Sequence, residues 1–289
     1  MNIKTIVKMA AVGALALTTV DALAEDAGQS LREKIAREHK ILGEETWFGG
    51  HRIRFDFGGR VAWVVAPAGE TAKGTPWTWT MQWAEAYVDR TGVPDLLQRG
   101  FHHVTLELFD TRMNADGLKA AAAFQKYLVE TLGFAPKANL VGMSWGGFFS
   151  VRYAANYPQN VRRIYLDAPL LQFGAGFAKG GTPTANAATI GPWAAQTPAD
   201  GDWLKNPEMP VNMADRIAAA KIPVFLLYGG QDQTVNPAAN CELFVARFKA
   251  AGGEIQVENR RLFGHHPHGL DPNKTAPIVE FFEATDSHL

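Results

Sequence analysis

Apolar and polar residues follow different periods along the chain, and these periods predict its strands and helices. Residues 51–57 alternate between apolar and polar side chains, Gly58 and Gly59 follow, and residues 61–65 are apolar throughout. Alternation, a Gly-Gly turn and a continuous apolar run predict a β-hairpin whose second strand is buried on both faces. Residues 30–42 carry apolar side chains at helical spacing and predict an amphipathic helix before the hairpin.

Beyond the hairpin, predicted helices and strands alternate. Trp79, Trp83 and Tyr87 lie at helical spacing in the first of these helices, which is more typical of a core face than of a binding face. The alternation predicts an α/β fold with a mostly parallel central sheet, helices on both faces and the hairpin as an antiparallel edge. We predict helices at 78–89, 118–132, 148–157, 239–250 and 276–284, and strands at 104–109, up to 141, 161–166, 223–228 and 255–258.

One segment, residues 170–213, interrupts this rhythm. It is rich in Gly, Pro, Ala and Thr and contains Trp193 and Trp203. A connection of that length inside a compact domain is usually functional. We therefore predict a short cap insertion over the carboxyl edge of the sheet, which would determine the choice of substrate.

The N-terminal residues have the pattern of a targeting segment. Lys4 and Lys8 precede a short apolar run, and Ala22-Leu23-Ala24 resembles a signal-peptidase site. The run is too short to span a bilayer, so residues 1–24 are predicted to be a secretory signal peptide. The mature protein, residues 25–289, is then a single periplasmic or secreted domain without a membrane anchor.

Composition excludes some classes of partner. The chain has 289 residues, with 28 Lys and Arg against 29 Asp and Glu. A balanced charge gives no attraction to nucleic acid or to an anionic membrane surface. Cys241 is the single cysteine, so no internal disulfide forms, and this residue is predicted to be a small buried hydrophobe. No oligomeric state is predicted.

The candidate nucleophile lies in Gly142-Met143-Ser144-Trp145-Gly146, which matches G-x-S-x-G between a predicted strand and a predicted helix. This context is typical of a nucleophile elbow, in which a strained turn exposes the serine. The residues two positions away must lack side chains, because otherwise the strand and the helix would collide. An ordinary Gly- and Ser-rich turn is the alternative.

Candidate partners of Ser144 follow later strands. Ligands of open α/β sheets bind outside the carboxyl ends of the strands, and Asp232 follows the strand at 223–228. A serine nucleophile needs a base within hydrogen-bond reach and an acid that orients the base. The order Ser, Asp, His is the one that α/β-hydrolases use. Asp167, at the end of the strand at 161–166, is an alternative acid.

Three histidines after the last strand compete for the role of base. His265 directly follows Gly264, which is the place that the base takes in the pattern of α/β-hydrolases. Pro267 restricts His266 to an extended conformation, so His266 should face away from Ser144 and pack or hydrogen-bond under the loop. His268 could return to the rim of the pocket. The cluster could also suggest zinc, but no nearby cysteine and no second ligand group support it, so no metal and no cofactor are predicted.

Three motifs carry a resemblance to a known group of proteins. G-T-P-W-T-W at 74–79, G-M-S-W-G-G at 142–147 and G-H-H-P-H-G-L at 264–270 resemble an exported bacterial group of serine hydrolases in the α/β-hydrolase superfamily. Members of that group are associated with the breakdown of carbohydrate esters. The resemblance covers nearly all of the mature chain.

The resemblance implies roles for named residues. It implies Ser144 as nucleophile, His265 as base and Asp232 as orienting acid, with the backbone N–H of Trp145 as one oxyanion donor. The second donor should come from the loop after residues 61–65. No His-Gly-Gly follows that strand, so this donor is left open between the neighbourhoods of Ala68 and Trp77. His268 is a candidate substrate contact.

The sequence thus predicts an enzyme that hydrolyses carboxylic esters through an acyl-enzyme. Its expected partner is a small-molecule or carbohydrate ester. A peptidase or amidase on the same triad is one alternative. A non-catalytic binding protein on a hydrolase scaffold is another, and the complete triad argues against it.

Overall fold

Nine strands of the computed structural model form one sheet, in the order β1-β2-β3-β5-β4-β6-β7-β8-β9. The structure describes residues 30–67, 69–177 and 187–285, so the predicted signal peptide and Ala68 lie outside the described residues. The strands are β1 (Ile41–Trp47), β2 (Gly50–Phe57), β3 (Arg60–Ala66), β4 (Trp77–Thr80), β5 (His102–Leu106), β6 (Ala138–Met143), β7 (Val161–Asp167), β8 (Val224–Gly229) and β9 (Ile255–Arg260).

The sheet is antiparallel at its N-terminal edge and parallel elsewhere. β1 pairs with β2, β2 with β3 and β3 with β5 in antiparallel register, and the strands from β5 to β9 pair in parallel. The predicted hairpin is confirmed, since Phe57 pairs with Arg60 across Gly58 and Gly59. Both glycines have positive φ angles, 62° and 81°, as a two-residue hairpin turn that follows the twist of the strands requires.

Helices cover both faces of the sheet. Alternate residues of β8 show this: Val224 and Leu226 lie in one apolar core and Phe225 and Leu227 in the other. The first core includes residues of α1, α3, α4, α6 and α7, and the second includes residues of α2 and α8. The helices are α1 (30–38), α2 (Val93–Gln98), α3 (Ala115–Glu130), α4 (Trp145–Asn156), α5 (Ala187–Ile190), α6 (Ala214–Ala219), α7 (Leu243–Ala250) and α8 (Ala276–Glu283).

The predicted helix at 78–89 is wrong. Trp77 to Thr80 form β4, which lies between β5 and β6 in the middle of the sheet. Trp77 and Trp79 are completely buried there, and turns and a short 3₁₀ helix at Val88–Arg90 follow. The predicted helix at 30–42 is also shorter than expected, because its last residues enter β1. In addition, β1 and α2 were not predicted.

Residues 170–213 pack tightly on α4 where the structure describes them, and residues 178–186 lie outside that part. The indole of Trp193 donates to the carbonyl of Arg112 at 2.9 Å and packs edge-to-face against Phe148 of α4. Trp203 packs edge-to-face on Phe173. Both tryptophans are buried, with 1% and 2% exposure. They are therefore core residues, and the cap function of the segment stays a prediction.

Two neighbouring histidines lie inside the sheet at the start of β5. His102 packs against Phe134, and the Nδ1 of His103 lies 2.8 Å from the hydroxyl of Thr78. Burial lowers the pKa of each imidazole from 6.5 to about 3, and for His103 the charge of Arg52 adds to the effect. Both side chains are therefore neutral in the folded protein, in agreement with a structural role.

These two histidines should make the fold less stable in mild acid. The unfolded chain protonates them near pH 6.5 and the folded chain does not, so their contribution is complete above that pH and declines as the pH falls towards 3. When the pH falls from 8 to 5, each of the two histidines should lower the free energy of unfolding by about 2 kcal/mol. Urea unfolding of His102→Leu at both pH values should show about half of this dependence. The control variant His51→Leu should keep the full pH dependence of the unfolding free energy. An unchanged pH dependence in His102→Leu would contradict the assignment of His102 as a buried neutral imidazole.

Candidate active site

Ser144 lies at a sharp turn between β6 and α4, with φ 50° and ψ −117°. A non-glycine residue adopts this conformation only when its surroundings impose it. Backbone hydrogen bonds do so here: the Ser144 N–H donates to the carbonyl of Asp167, and the Ser144 carbonyl accepts from Gly147 and Leu170, all at 2.9 Å. The predicted strand, sharp turn and helix are therefore present around the serine.

Gly142 and Gly147 are needed for close packing, whereas the prediction that Gly146 must also lack a side chain is wrong. A Cβ on Gly142 would lie 2.7 Å from the Ser150 hydroxyl and 2.9 Å from the Gly146 carbonyl, so a side chain would push β6 and α4 apart. A Cβ on Gly147 would lie 2.2 Å from the Cβ of Pro169. On Gly146 the nearest atoms, from Gln82, would be 3.4 Å away, which is an ordinary contact.

Gly147→Ala should therefore destabilise the protein, while Gly146→Ala should be tolerated. Overpacking of a tight contact typically costs about 1–3 kcal/mol of unfolding free energy. Gly146 occupies the adjacent position of the same helix but has room for a methyl group, which makes Gly146→Ala the matched control. Denaturant unfolding of the two variants checks this expectation, and equal stability in both would contradict it.

Ser144, His265 and Asp232 form a chain of hydrogen bonds at the carboxyl edge of the sheet. His265 Nε2 lies 3.1 Å from Ser144 Oγ, and His265 Nδ1 lies 2.6 Å from Asp232 Oδ2. His265 and Asp232 are buried. The other carboxylate oxygen of Asp232 accepts from the backbone N–H groups of Thr234 and Val235, at 2.8 and 2.9 Å. An aspartate held in this way fixes the imidazole with its proton on Nδ1 and leaves Nε2 to accept from the serine.

A second acid–imidazole pair lies beside the first. Asp167, completely buried at the end of β7, is 2.7 Å from His268 Nδ1. It also accepts from the hydroxyl of Tyr165 at 2.8 Å and from the backbone N–H of Gly269. Burial and the charge of Asp167 raise the pKa of Tyr165 well above its ordinary value, so its hydroxyl keeps the proton that it donates. Asp167, the alternative acid, therefore pairs with His268 and not with His265.

The loop that carries the histidines is held on both sides. Arg90 Nε donates to the carbonyl of His268 at 2.8 Å, and the Arg90 carbonyl accepts from Leu270 at 2.9 Å. The guanidinium of Arg260 donates to the carbonyls of Gly269 and Pro267, at 2.6 and 3.1 Å. These contacts keep residues 267–270 in place at the sheet edge, next to the His265 ring.

His266 is exposed, so the prediction that it lies under the loop is wrong, and its orientation away from Ser144 stays a prediction. Its ring stacks on Tyr87 with a centroid distance of 5.7 Å, and its Nδ1 is 3.3 Å from the Tyr87 hydroxyl. Partial burial lowers its pKa, and the neighbouring imidazoles of His265 and His268 add to this, against the opposing charges of the two aspartates.

Two backbone N–H groups lie beside the elbow. Trp145 is the first residue of α4, so its N–H has no acceptor within the helix. Gln82 follows the neighbouring strand β4, and its backbone nitrogen would be 3.4 Å from a Cβ on Gly146. Gln82 was not predicted, because residues 78–89 were assigned to a helix. The alternation of Trp77-Thr78-Trp79-Thr80 was the signal that could have identified the strand before it.

Of the two predicted sources of the second donor, Ala68 lies outside the described residues and stays a prediction, whereas Trp77 lies away from the serine. β3, which contains residues 61–65, is separated from β6 by β5 and β4. Trp77 begins β4 at the amino edge of the parallel strands, opposite to the serine, and its indole donates to the carbonyl of Ala135 at 2.8 Å. Neither position is next to Ser144 in the sheet. His268, the candidate substrate contact, packs edge-to-face on His265 with ring centroids 4.7 Å apart.

Aromatic side chains surround the serine on the other side. Trp145 packs edge-to-face against Phe109 at 5.7 Å between ring centroids and lies 6.0 Å from Phe177. Phe109 in turn contacts Trp83, which is 40% exposed. The guanidinium of Arg112 lies 3.6 Å from the centroid of Phe109. An aromatic surface thus continues from the nucleophile to the surface of the protein.

Comparisons with known proteins agree with the fold. The model of a family described as alpha/beta hydrolase fold matches residues 90–200. A puromycin-hydrolyzing peptidase of Mycobacterium tuberculosis has 18% identity and a TM-score of 0.57, over 86% of this chain and 39% of its own. The acylaminoacyl peptidase of Pyrococcus horikoshii has 13% identity and a TM-score of 0.56, over 80% of this chain and 38% of its own. MPT51 of Mycobacterium tuberculosis has 16% identity and a TM-score of 0.55, over 82% of this chain and 95% of its own.

The protein therefore has the α/β-hydrolase fold, as the sequence predicted, and the family model and the solved structures agree on that fold. The chain spans only 38–39% of the length of the two peptidases. No curated protein matches the sequence. No helix among the described residues has the length and apolar character needed to cross a membrane. The narrower resemblance to an exported esterase group stays a prediction.

Proposed function

We propose that the protein is a serine hydrolase that cleaves carboxylic esters through an acyl-enzyme. The observation that carries this proposal is the chain of contacts from Ser144 Oγ to His265 Nε2 and from His265 Nδ1 to Asp232, 3.1 and 2.6 Å long, at a strained elbow of an α/β-hydrolase fold. A serine, a base and an orienting acid in this geometry are the parts that acyl transfer requires.

In the proposed mechanism, Ser144 Oγ attacks the ester carbonyl while His265 Nε2 takes its proton. The imidazolium that forms is stabilised by Asp232 and returns the proton to the leaving alcohol. Water then attacks the acyl-enzyme by the same route in reverse. We assign the backbone N–H groups of Trp145 and Gln82 to the oxyanion, because both lie beside the elbow and neither needs to move when negative charge develops.

We further propose that the alcohol part of the substrate is a carbohydrate. A cavity of about 480 Å³ is lined by the aromatic rings of Trp63 and Trp83, by Glu85 and Glu107, and by Gln82, whose backbone is beside the elbow. Aromatic faces with carboxylates around them can pack on the apolar face of a sugar ring and accept from its hydroxyls. This supports acyl esters of carbohydrates as substrates.

A peptidase or amidase is the second candidate function. The two peptidases among the structural neighbours favour it, since the same triad geometry can attack an amide. The present chain matches less than half of the length of those two peptidases, whereas it matches 95% of the length of MPT51. Ester hydrolysis is therefore the function that we propose first.

The test is a substrate panel on the purified protein. Acetyl, butyryl and feruloyl esters, including acylated sugars, are compared with a peptide substrate, and a fluorophosphonate probe reports labelling of the serine. We expect labelling and ester turnover in the wild type and neither in Ser144→Ala. Turnover of the peptide alone would support the peptidase, and absence of labelling in a folded wild-type protein would support a binding protein.

We also propose that the protein is exported and that its mature form begins at Glu25. The support is the sequence of residues 1–24, with two lysines, an apolar run and Ala22-Leu23-Ala24. Expression of the full chain in a bacterium with two membranes, followed by cell fractionation and mass spectrometry of the intact product, tests this. Recovery of the uncleaved chain from the cytoplasm would contradict it.

A further inference from the structure

We propose that His265, His266 and His268 form a binding site for a divalent transition metal ion, with Zn²⁺ as the best-suited ion, and that occupation of this site inhibits the enzyme. The metal is not a cofactor here but a reversible inhibitor. Inhibition rests on the proposed function, whereas binding of the ion does not.

The three imidazoles are close enough to share one ion. One ring nitrogen from each lies within 4.8 Å of the other two, and their ring centroids are 4.7 to 4.9 Å apart. Zinc binds imidazole nitrogen at about 2.0–2.1 Å in tetrahedral geometry, which puts the nitrogens about 3.3 Å apart. The nitrogens are therefore at most about 1.5 Å farther apart than in an occupied site. His266 is exposed, so a change of its rotamer can bring its nitrogen closer to the other two.

Two of the three ligands are already oriented as zinc ligands usually are. His265 and His268 each have Nδ1 against a buried carboxylate, Asp232 at 2.6 Å and Asp167 at 2.7 Å. A carboxylate behind the imidazole fixes the tautomer, aims the lone pair of Nε2 and increases its basicity, as in many metal sites. Nε2 of His268 is the ring nitrogen that does not face its aspartate. Nε2 of His265 lies 3.1 Å from the Ser144 hydroxyl, which an incoming ion would displace.

The third ligand gives the ion access from solvent. Nδ1 of His266 faces the Tyr87 hydroxyl at 3.3 Å, which leaves its Nε2 lone pair without a contact among the described residues. Its exposure lets an incoming ion bind there first and then reach the buried pair. A fourth tetrahedral position remains for water or for the hydroxyl of Ser144.

Inhibition follows from the atoms involved. His265 Nε2, which must accept the proton of Ser144, has one lone pair. A lone pair that binds a metal ion cannot also accept a proton, so metal binding and general-base catalysis exclude each other at this atom. Imidazole sites favour Zn²⁺, Cu²⁺ and Ni²⁺, whereas Mg²⁺ favours oxygen ligands. Zinc should therefore inhibit and magnesium should not.

The experiment uses the purified full-length or exported protein at pH 7.5. Binding of Zn²⁺ alone is measured by calorimetry, and ester hydrolysis is measured at buffered concentrations of free zinc, with magnesium as the control ion. We expect one Zn²⁺ per chain, loss of activity with the same midpoint as binding, and full recovery on addition of EDTA.

Two single-site variants test the assignment of the ligands. His266→Ala removes one ligand of three and should weaken both binding and inhibition by about tenfold or more, each relative to the zinc-free rate of that variant. His51→Ala, at an exposed histidine on β2 whose ring lies 3.1 Å from Glu44, is the matched control and should change neither. Thermal unfolding of both variants confirms that they are folded.

Ser144→Ala separates this inference from the proposed function. The variant has no nucleophile, yet it keeps all three imidazoles and should bind Zn²⁺ at least as tightly as the wild type, because the hydroxyl no longer occupies His265 Nε2. Failure of any ester to react would leave this measurement intact. Absence of stoichiometric zinc binding, or an unchanged affinity in His266→Ala, would overturn the proposed site.

Discussion

Replacing His265 by alanine should lower kcat for ester hydrolysis by at least about 10³-fold, as much as Ser144→Ala does. The reason is the contact between His265 Nε2 and Ser144 Oγ at 3.1 Å, since without the base the hydroxyl keeps its proton and is a poor nucleophile. The two residues act as one unit, so the double variant should lose no more than either single variant. Steady-state kinetics on an acetyl ester measure all three.

The other two histidines of the loop provide the controls. His266→Ala should lose less than about tenfold in kcat, because the ring is exposed and contacts Tyr87. His268→Ala should lose less than about 10²-fold, as a residue that supports its neighbour does. If His265→Ala kept near-normal turnover while either of the others lost it, His265 would not be the base, although a serine mechanism could still hold.

The same substitution at the two acids should have opposite consequences. Asp232→Asn should lower kcat by about 10⁴-fold, because an amide behind His265 favours the wrong tautomer of the imidazole. Asp167→Asn should lower kcat by less than about 10²-fold, because its partner is His268. Its main effect should be on stability, with about 2–4 kcal/mol of unfolding free energy lost, since a completely buried carboxylate that accepts from three donors is replaced by an amide that matches them poorly.

Kinetics and urea unfolding of the two variants together make this comparison. The expected result is an inactive Asp232→Asn and an active Asp167→Asn. Both variants should lose stability, because both carboxylates are buried and accept from three donors. The reverse result, with Asp167→Asn inactive and Asp232→Asn active, would mean that Asp167 orients His265 in solution.

The residues of the triad could be predicted from sequence because each follows a strand that is easy to recognise. β6 and β8 contain apolar runs and β9 begins with alternating apolar and polar residues. Residues after parallel strands meet at one edge of the sheet whatever the details of packing. Ser144 also lies in a short motif in which Gly142 and Gly147 are required by contacts of less than 3 Å. The positions of Asp232 and His265 then followed from chain order, and the structure brings both to the serine.

β4 could not be predicted in the same way, because two periods coincide there. Trp79, Trp83 and Tyr87 are spaced four residues apart, which favours a helix, while Trp77 to Thr80 alternate with a period of two over only four residues. Tertiary context decides between them, since all four residues are buried between β5 and β6. The error removed Gln82 from consideration as a neighbour of the elbow.

The second acid–imidazole pair could not be predicted either, because nothing local signals it. Asp167 and His268 are 101 positions apart, and each alone resembles an ordinary strand end or loop residue. Their pairing depends on the path of the chain after β9, which Arg90 and Arg260 determine through carbonyl groups of the loop. Sequence patterns predict which residue types reach the sheet edge more readily than which of them form pairs.

Cys241 supplies the unmodified protein with an internal reporter of local opening. Its side chain is 2% exposed, within a π-helical turn (Ala238–Glu242) that begins six residues after Asp232. Burial raises the pKa of the thiol well above its ordinary value, so it is protonated and unreactive while this turn is closed. Because the chain has a single cysteine, the rate at which a thiol reagent modifies the protein measures how often this region opens, without a label or an engineered site.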